Sequence, residues 1–275
     1  MKKLFIFFLI CFAHTAYSQE TIETEETTLN TIKSDVNSTL KGIGRFYTSP
    51  LRWKKKDYIG AGAVIGGFAA LTLIDSYTEK MAKRHEPHIP SAIKKFGDGF
   101  GGHVNAFAFS GGIYATGLIT KNNKIRKTGA LMFTSVLAAG SLQTIIKVIA
   151  GRARPRVGNY NTLDPFTLDK QYHAFPSGHS IVSMVFVHSI ARQIDNTWIK
   201  VGLYSAGAIV PISRVWAESH WLSDVALGTT LGILTVNYLD NYLTEIYEGK
   251  KEQKLTQFWK LRPGLGSLNL SYTFN

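Results

Sequence analysis

The sequence predicts an all-α fold: a six-helix bundle embedded in a membrane, followed by a short strand-like C-terminal tail. Three observations predict it. Six apolar segments occupy the middle of the chain: Tyr58–Ile74, Val104–Thr120, Thr128–Ile149, Ser180–Ala191, Ile199–Ile212 and Leu222–Leu239. Gly and Ala recur in most of them, as in Gly60-Ala61-Gly62-Ala63-Val64-Ile65-Gly66-Gly67. Small residues let helices approach closely and mark helix interfaces in membranes. Period-two alternation is confined to the tail, where Ser267-Leu268-Asn269-Leu270-Ser271-Tyr272-Thr273-Phe274 reads as a strand.

The first three segments are long enough to span a bilayer if tilted little. The fourth and fifth are short, and a mean hydropathy of -0.00 is low for six spans. A soluble helical domain with very apolar helices is the alternative.

Taken in order, residues 1–18 read as a secretory signal. Lys2-Lys3 gives the charged start, Leu4 to Ala13 the short apolar core, and Ala16-Tyr17-Ser18 the small residues a signal peptidase needs. Residues 19–57 form a polar leader and collar; its first part, 19–44, reads as mobile and holding one short amphipathic helix. It ends in a basic and aromatic collar, Arg45, Phe46, Tyr47, Arg52, Trp53 and Lys54-Lys55-Lys56, which suits a lipid headgroup region. Residues 58–245 form the helical domain, and 246–275 the tail.

Composition narrows the partners. In 275 residues, 31 Lys+Arg face 19 Asp+Glu, for a net charge of +12. That balance suits an anionic membrane surface or a phosphate substrate. Nucleic acid is not expected: the basic residues sit in short clusters between apolar stretches, without a zinc-finger or RNA-binding signature. The lone cysteine, Cys11, lies in the targeting segment, which excludes disulfides and thiolate metal sites from the mature chain. His85 and His88 lie among prolines with no third ligand evident, so no metal is expected.

Three stretches carry chemistry. The first is Lys147, six residues, then Arg154-Pro155. Seven residues make two helical turns, so both cations can share a face at a helix end, and Gly151 and Pro155 end that helix. Lys147, Arg152, Arg154 and Arg156 beside apolar walls are costly without an anion. The second is Pro176-Ser177-Gly178-His179 before the fourth segment. Ser177 is suited to cap the helix, Gly178 lets a ligand approach the backbone, and the first amides point at an anion. The third is Ser213-Arg214, five residues, His220, three residues, Asp224. One helical turn would place the Asp224 carboxylate on one imidazole nitrogen of His220, leaving the other as a nucleophile.

These stretches resemble, in order and spacing, the three signature motifs of the type-2 phosphatidic acid phosphatase and vanadium haloperoxidase superfamily. The signatures span 147–224, and the helical pattern extends the resemblance to roughly 58–240. The resemblance implies that Lys147, Arg154 and Arg214 bind phosphate oxygens, helped by Ser177 and the Gly178 amide. His220 would attack phosphorus and form a phosphohistidine, His179 would protonate the leaving alcohol, and Asp224 would orient His220. Phosphoryl transfer needs positioning and charge stabilisation, which fixed cations can supply in place of magnesium. No cofactor is expected.

The expected activity is hydrolysis of a phosphate monoester or diphosphate, most naturally of a lipid: phosphatidate, phosphatidylglycerol phosphate, a polyprenyl diphosphate or a lipid A phosphate. The runner-up is a soluble periplasmic phosphatase of broad specificity. A vanadate-dependent haloperoxidase and a non-catalytic scaffold come after it. The positive-inside rule puts Lys54-Lys55-Lys56 and the Lys121–Lys127 loop in the cytoplasm and the site in the periplasm. A cleaved signal followed by six spans would put the site in the cytoplasm instead, so one of those two features has to yield.

Overall fold

The computed structural model describes residues 28–256, 259–264 and 267–272. The signal expected over 1–18 lies outside the described residues. Nine helices are described: α1 (Thr28–Tyr47), α2 (Lys55–Thr72), α3 (Asp75–His85), α4 (Ser91–Phe100), α5 (His103–Ile119), α6 (Asn123–Ala150), α7 (Gly178–Ala191), α8 (Thr197–Trp216) and α9 (Leu222–Thr256). Two strands, β1 (Trp259–Gly264) and β2 (Ser267–Tyr272), pair antiparallel with Trp259 opposite Tyr272. The alternating tail is thus the second strand of a hairpin.

Each of the six apolar segments forms a helix, as the sequence predicts. The core sits where α5, α6, α7 and α9 meet: Leu131, Met132, Val136, Ile181, Val185, Phe186, Val236 and Leu239 are all buried. α6, with 28 residues, and Leu222–Tyr247 of α9 are each long and apolar enough to cross a membrane. α2 and the segment 75–88 together qualify as one span broken by a 58° bend. α7 has 14 residues, about 21 Å, and is too short to cross by itself.

Close packing of α7 and α9 depends on Gly228 and Gly232, one turn apart on α9. A Cβ on Gly228 would lie 2.5 Å from the Ser177 carbonyl oxygen, and one on Gly232 would lie 2.8 Å from that of Ile181. α8 contains Pro211, which removes the amide that would bond the Gly207 carbonyl. Ser183 Oγ of α7 donates to that carbonyl instead, at 2.9 Å, so the proline leaves no orphan acceptor in the core.

The leader differs from expectation. α1 is a 20-residue helix packed along α6 and α9. Its buried face is polar and small: Asp35, Ser38 and Gly42. Asp35 accepts hydrogen bonds from Tyr114 and Tyr247, each at 2.8 Å, and pairs with Arg126. Tyr47 donates to the Ala138 carbonyl at 3.1 Å. Ile43 and Phe46 pack against the hydrophobic core beside these polar contacts.

Candidate active site

The three motif stretches meet at one end of the bundle. Lys147 stands in the last turn of α6, which ends at Gly151 with φ 53°. A Cβ there would fall 1.7 Å from the Asp164 carbonyl oxygen, so only glycine fits both the backbone and the space. Past it, residues 152–154 run as an extended hub. Ala174 N–H donates to the Arg152 carbonyl at 3.0 Å, Arg154 N–H to the Gln171 carbonyl at 2.9 Å, and the Trp221 indole to the Ala153 carbonyl at 2.8 Å. One short segment therefore fixes the 171–174 loop and the His220–Trp221 corner together.

That arrangement sets the chemistry of His220, which lies in the loop before α9 and is only 4% exposed. Its Nδ1 is 2.6 Å from the Ala174 carbonyl oxygen. A carbonyl can only accept, so Nδ1 carries the proton, and in the neutral ring Nε2 keeps its lone pair. Burial, with Lys147 and Arg154 beside it, holds the imidazole well below its usual range. The His220 ring is thus neutral at ordinary pH and held in one orientation.

The Asp224 contact is a correction to the sequence expectation. α9 begins at Leu222, so His220 and Asp224 do not share a helical turn. Asp224 Oδ2 accepts from the Trp221 amide at 2.9 Å, and Oδ1 pairs with Arg152 Nη1 at 2.5 Å. Asp224 shapes the corner that carries His220, while the Ala174 carbonyl sets the tautomer.

The other predicted residues are also gathered here. Ser177 is the N-cap of α7 but makes no side-chain capping bond; its Oγ accepts from Ser180, and its amide donates to the Asp224 carbonyl at 3.1 Å. Gly178 opens α7, and a Cβ there would meet Gln143 Nε2 at 2.6 Å. The glycine thus admits Gln143, which donates to the Pro176 carbonyl. Burial, followed by Arg214, His103 and Lys147 nearby, lowers His179 to about 4. Lys147 Nζ donates to the His173 carbonyl, and Arg154 to the Lys170 and Ser219 carbonyls. Arg214, in the last turn of α8, pairs with Asp98 of α4 at 2.6 Å.

Sequence reasoning missed four participants. Asp75 and Ser223 join Arg152 in a buried network, Asp98 pairs with Arg214, and His103 stands beside His179. The His103 ring lies 6.4 Å from that of His179. α4 presses on the site through Gly97, where a Cβ would lie 2.0 Å from Ser213 Oγ, and Gly101, where one would lie 2.7 Å from His179 Cβ. Nothing local announces these contacts, since each partner is remote in sequence.

Residues 128–245 match the family model described as the PAP2 superfamily. The chain is similar to a lipid A 1-phosphatase of Rhizobium etli, 27% identical over 200 residues, covering 66% of this chain and 82% of that protein. A lipid A 1-phosphatase of Rhizobium johnstonii is 30% identical over 107 residues, 38% of this chain and 43% of that protein. Among solved structures, a transmembrane PAP2 type phosphatidylglycerolphosphate phosphatase from Bacillus subtilis superposes with a TM-score of 0.51 at 20% identity, covering 67% of this chain and 96% of that one.

Proposed function

We propose that this chain, whose residues 128–245 match the PAP2 superfamily model, is a metal-independent lipid phosphatase working through a phosphohistidine on His220. The observation that carries this is the His220 tautomer. Nδ1 is committed to the Ala174 carbonyl, so Nε2 is left to attack phosphorus among Lys147, Arg154 and Arg214. The attack breaks the bond to the leaving oxygen, His179 returns a proton to that oxygen, and water then cleaves the phosphohistidine. The three cations and the α7 amides spread the equatorial charge of the transferring phosphoryl group.

The lipid part of the reading rests on a groove of about 320 Å³ between α2 and α9, lined by Ala63, Val64, Gly67, Phe68, Leu71, Ala226, Leu227 and Thr230. Phe68 at its edge lies 4.7 Å, centroid to centroid, from Phe175, which leads directly into Pro176-Ser177-Gly178-His179. An acyl chain there would keep its phosphate within reach of the site. Similarity to two lipid A 1-phosphatases puts a lipid A phosphate first among candidate substrates.

The protein would sit in the cytoplasmic membrane with the site facing the periplasm. In support, both basic clusters, Lys54-Lys55-Lys56 before α2 and Lys121–Lys127 at the start of α6, lie at the helix ends remote from the site.

The test is phosphate release by purified protein in detergent with EDTA present. The panel is lipid A phosphate, phosphatidate, phosphatidylglycerol phosphate and a polyprenyl diphosphate, with His220→Ala alongside. Release that disappears in the variant is the expected outcome. Release abolished by EDTA, or retained by His220→Ala, would overturn the mechanism.

A further inference from the structure

Resting on the proposed reaction, the structure assigns Asp75 and Arg152 a positioning role: they hold the Asp224 carboxylate so that it cannot neutralise the cations meant for phosphate. The charges around the site are sorted. Asp75 and Asp224 are fully buried and Arg152 is 4% exposed. Arg152 spans both, pairing with Asp75 Oδ2 at 2.7 Å and Asp224 Oδ1 at 2.5 Å. Ser223 closes the network: its amide donates to Asp75 Oδ1 at 3.0 Å, and its hydroxyl donates to Asp75 Oδ2 at 2.5 Å. Both oxygens of Asp224 are occupied, one by Arg152 and one by the Trp221 amide.

Lys147 and Arg154, by contrast, rest on carbonyl oxygens. Among the described residues neither forms an ion pair with a carboxylate. Yet Asp224 is near enough for its charge to act on both. A carboxylate that close in a buried site would swing onto Lys147 or Arg154 unless something stronger held it. Arg152 is that holder. Asp75 matters because it fixes the guanidinium from the other side: it is brought to the site by the first turn of α3, 77 residues away in sequence. Arg152 also acts through its main chain, since its carbonyl takes the Ala174 amide whose own carbonyl orients His220. Phe68 and Trp221 stand 5.8 and 5.7 Å from the guanidinium carbon and confine it.

The discriminating experiment reads orthovanadate binding as well as turnover, in detergent-purified full-length protein. Arg152→Met should weaken vanadate binding and raise KM by about 10- to 100-fold, because Asp224 then competes for Lys147 and Arg154. Asp224→Asn added to Arg152→Met should recover much of the vanadate affinity, because the competitor is gone. A merely structural role predicts the reverse, a double variant at least as impaired as either single one. Arg152→Lys should retain most of the affinity. If Arg152→Met does not fold, Asp75→Asn, isosteric and still able to bond Ser223, takes its place with a smaller effect of the same sign, reversed by Asp224→Asn. Unchanged vanadate affinity in the single variant, or no recovery in the double one, overturns the assignment. Wild-type protein that binds vanadate but hydrolyses nothing overturns the proposed function and leaves this comparison readable.

Discussion

Gly228→Ala is expected to cost activity far more than stability. In α9 the added methyl would sit 2.5 Å from the Ser177 carbonyl oxygen and 3.2 Å from Ser180 Cβ. An ordinary C···O approach is about 3.3 Å, so the two helices must separate by about 0.8 Å at that point. The group displaced is the carbonyl of Ser177, the N-cap residue of α7, whose neighbouring amides are proposed to face the phosphate. Misplacing a reacting group by about 1 Å can cost on the order of 10²-fold in rate. Overpacking costs about 1–3 kcal/mol, partly offset by about 1 kcal/mol of helix propensity gained over glycine. The expected variant is therefore folded, melts slightly lower in detergent, and has kcat reduced on the order of 30- to 100-fold. Gly66→Ala is the control, because a Cβ there meets nothing within 4 Å. Phosphate release and a thermal melt, measured on both, decide the matter. Wild-type kcat in Gly228→Ala would show that the α7 terminus does not depend on this contact.

Other outcomes follow from the same geometry. His179 is lowered to about 4, so the free enzyme holds it neutral at pH 7, and the proton it gives the leaving group must arrive with substrate. The value of kcat/KM should therefore fall as pH rises past about 6, where a phosphate monoester loses its second proton; a flat profile from pH 5 to 8 would refute this. His179→Asn should slow an alkyl phosphate by about 10²–10⁴-fold but an aryl phosphate, with its better leaving group, much less; equal losses would remove the acid role. Asp98→Asn should free Arg214 from its exposed carboxylate partner and tighten inhibition by inorganic phosphate several-fold, read as a lower Ki. Asp35→Asn removes the charge that holds Tyr114, Tyr247 and Arg126; it should lower the melting temperature by several degrees with kcat unchanged, since α1 lies away from the site.

The bundle was legible because its signal is local. Each of the six apolar runs became a helix, and the breaks at Gly151 and before Ser177 fell where turn chemistry puts them. The leader was half legible: α1 is amphipathic, but its inner face is Asp35, Ser38 and Gly42, a pattern composition reads as solvated. α4 was not legible, because its short sequence holds two glycines and follows Pro90; packing against α8, not propensity, makes it helical. Within the site, the residues singled out by type and spacing come together at one end of the bundle, but spacing misassigned one contact. Four residues mean one turn only inside a helix, and His220 stands just outside α9. The partner that fixes His220 is a main-chain carbonyl, and a carbonyl leaves no mark in a sequence. Asp75 had a faint signal, a lone carboxylate directly after the apolar run 58–74, but its partner is Arg152, remote in sequence.

Helix direction explains how one small region holds so many like charges. Lys147 and Arg214 stand in the last turns of α6 and α8, where the negative end of the helix dipole and unpaired carbonyls favour cations. Asp224 stands in the first turn of α9, where the positive end favours a carboxylate. The amides that open α7 at Gly178 face the same space, ready for an anion. Four helix termini therefore converge with their dipoles matched to the charge each one carries, and in the proposed reaction the substrate phosphate would be the anion at the start of α7. Burial first, and then the field of Lys147 and Arg154, keeps His220 neutral: the cations proposed to bind phosphate also disfavour imidazolium. On the proposed reaction, substrate binding and nucleophile activation share these cations, and removing one should raise the His220 pKa as well as weaken phosphate binding. Lys147→Gln tests this through the acid limb of kcat/KM, which should move to higher pH; an unmoved acid limb with KM alone raised would separate the two effects.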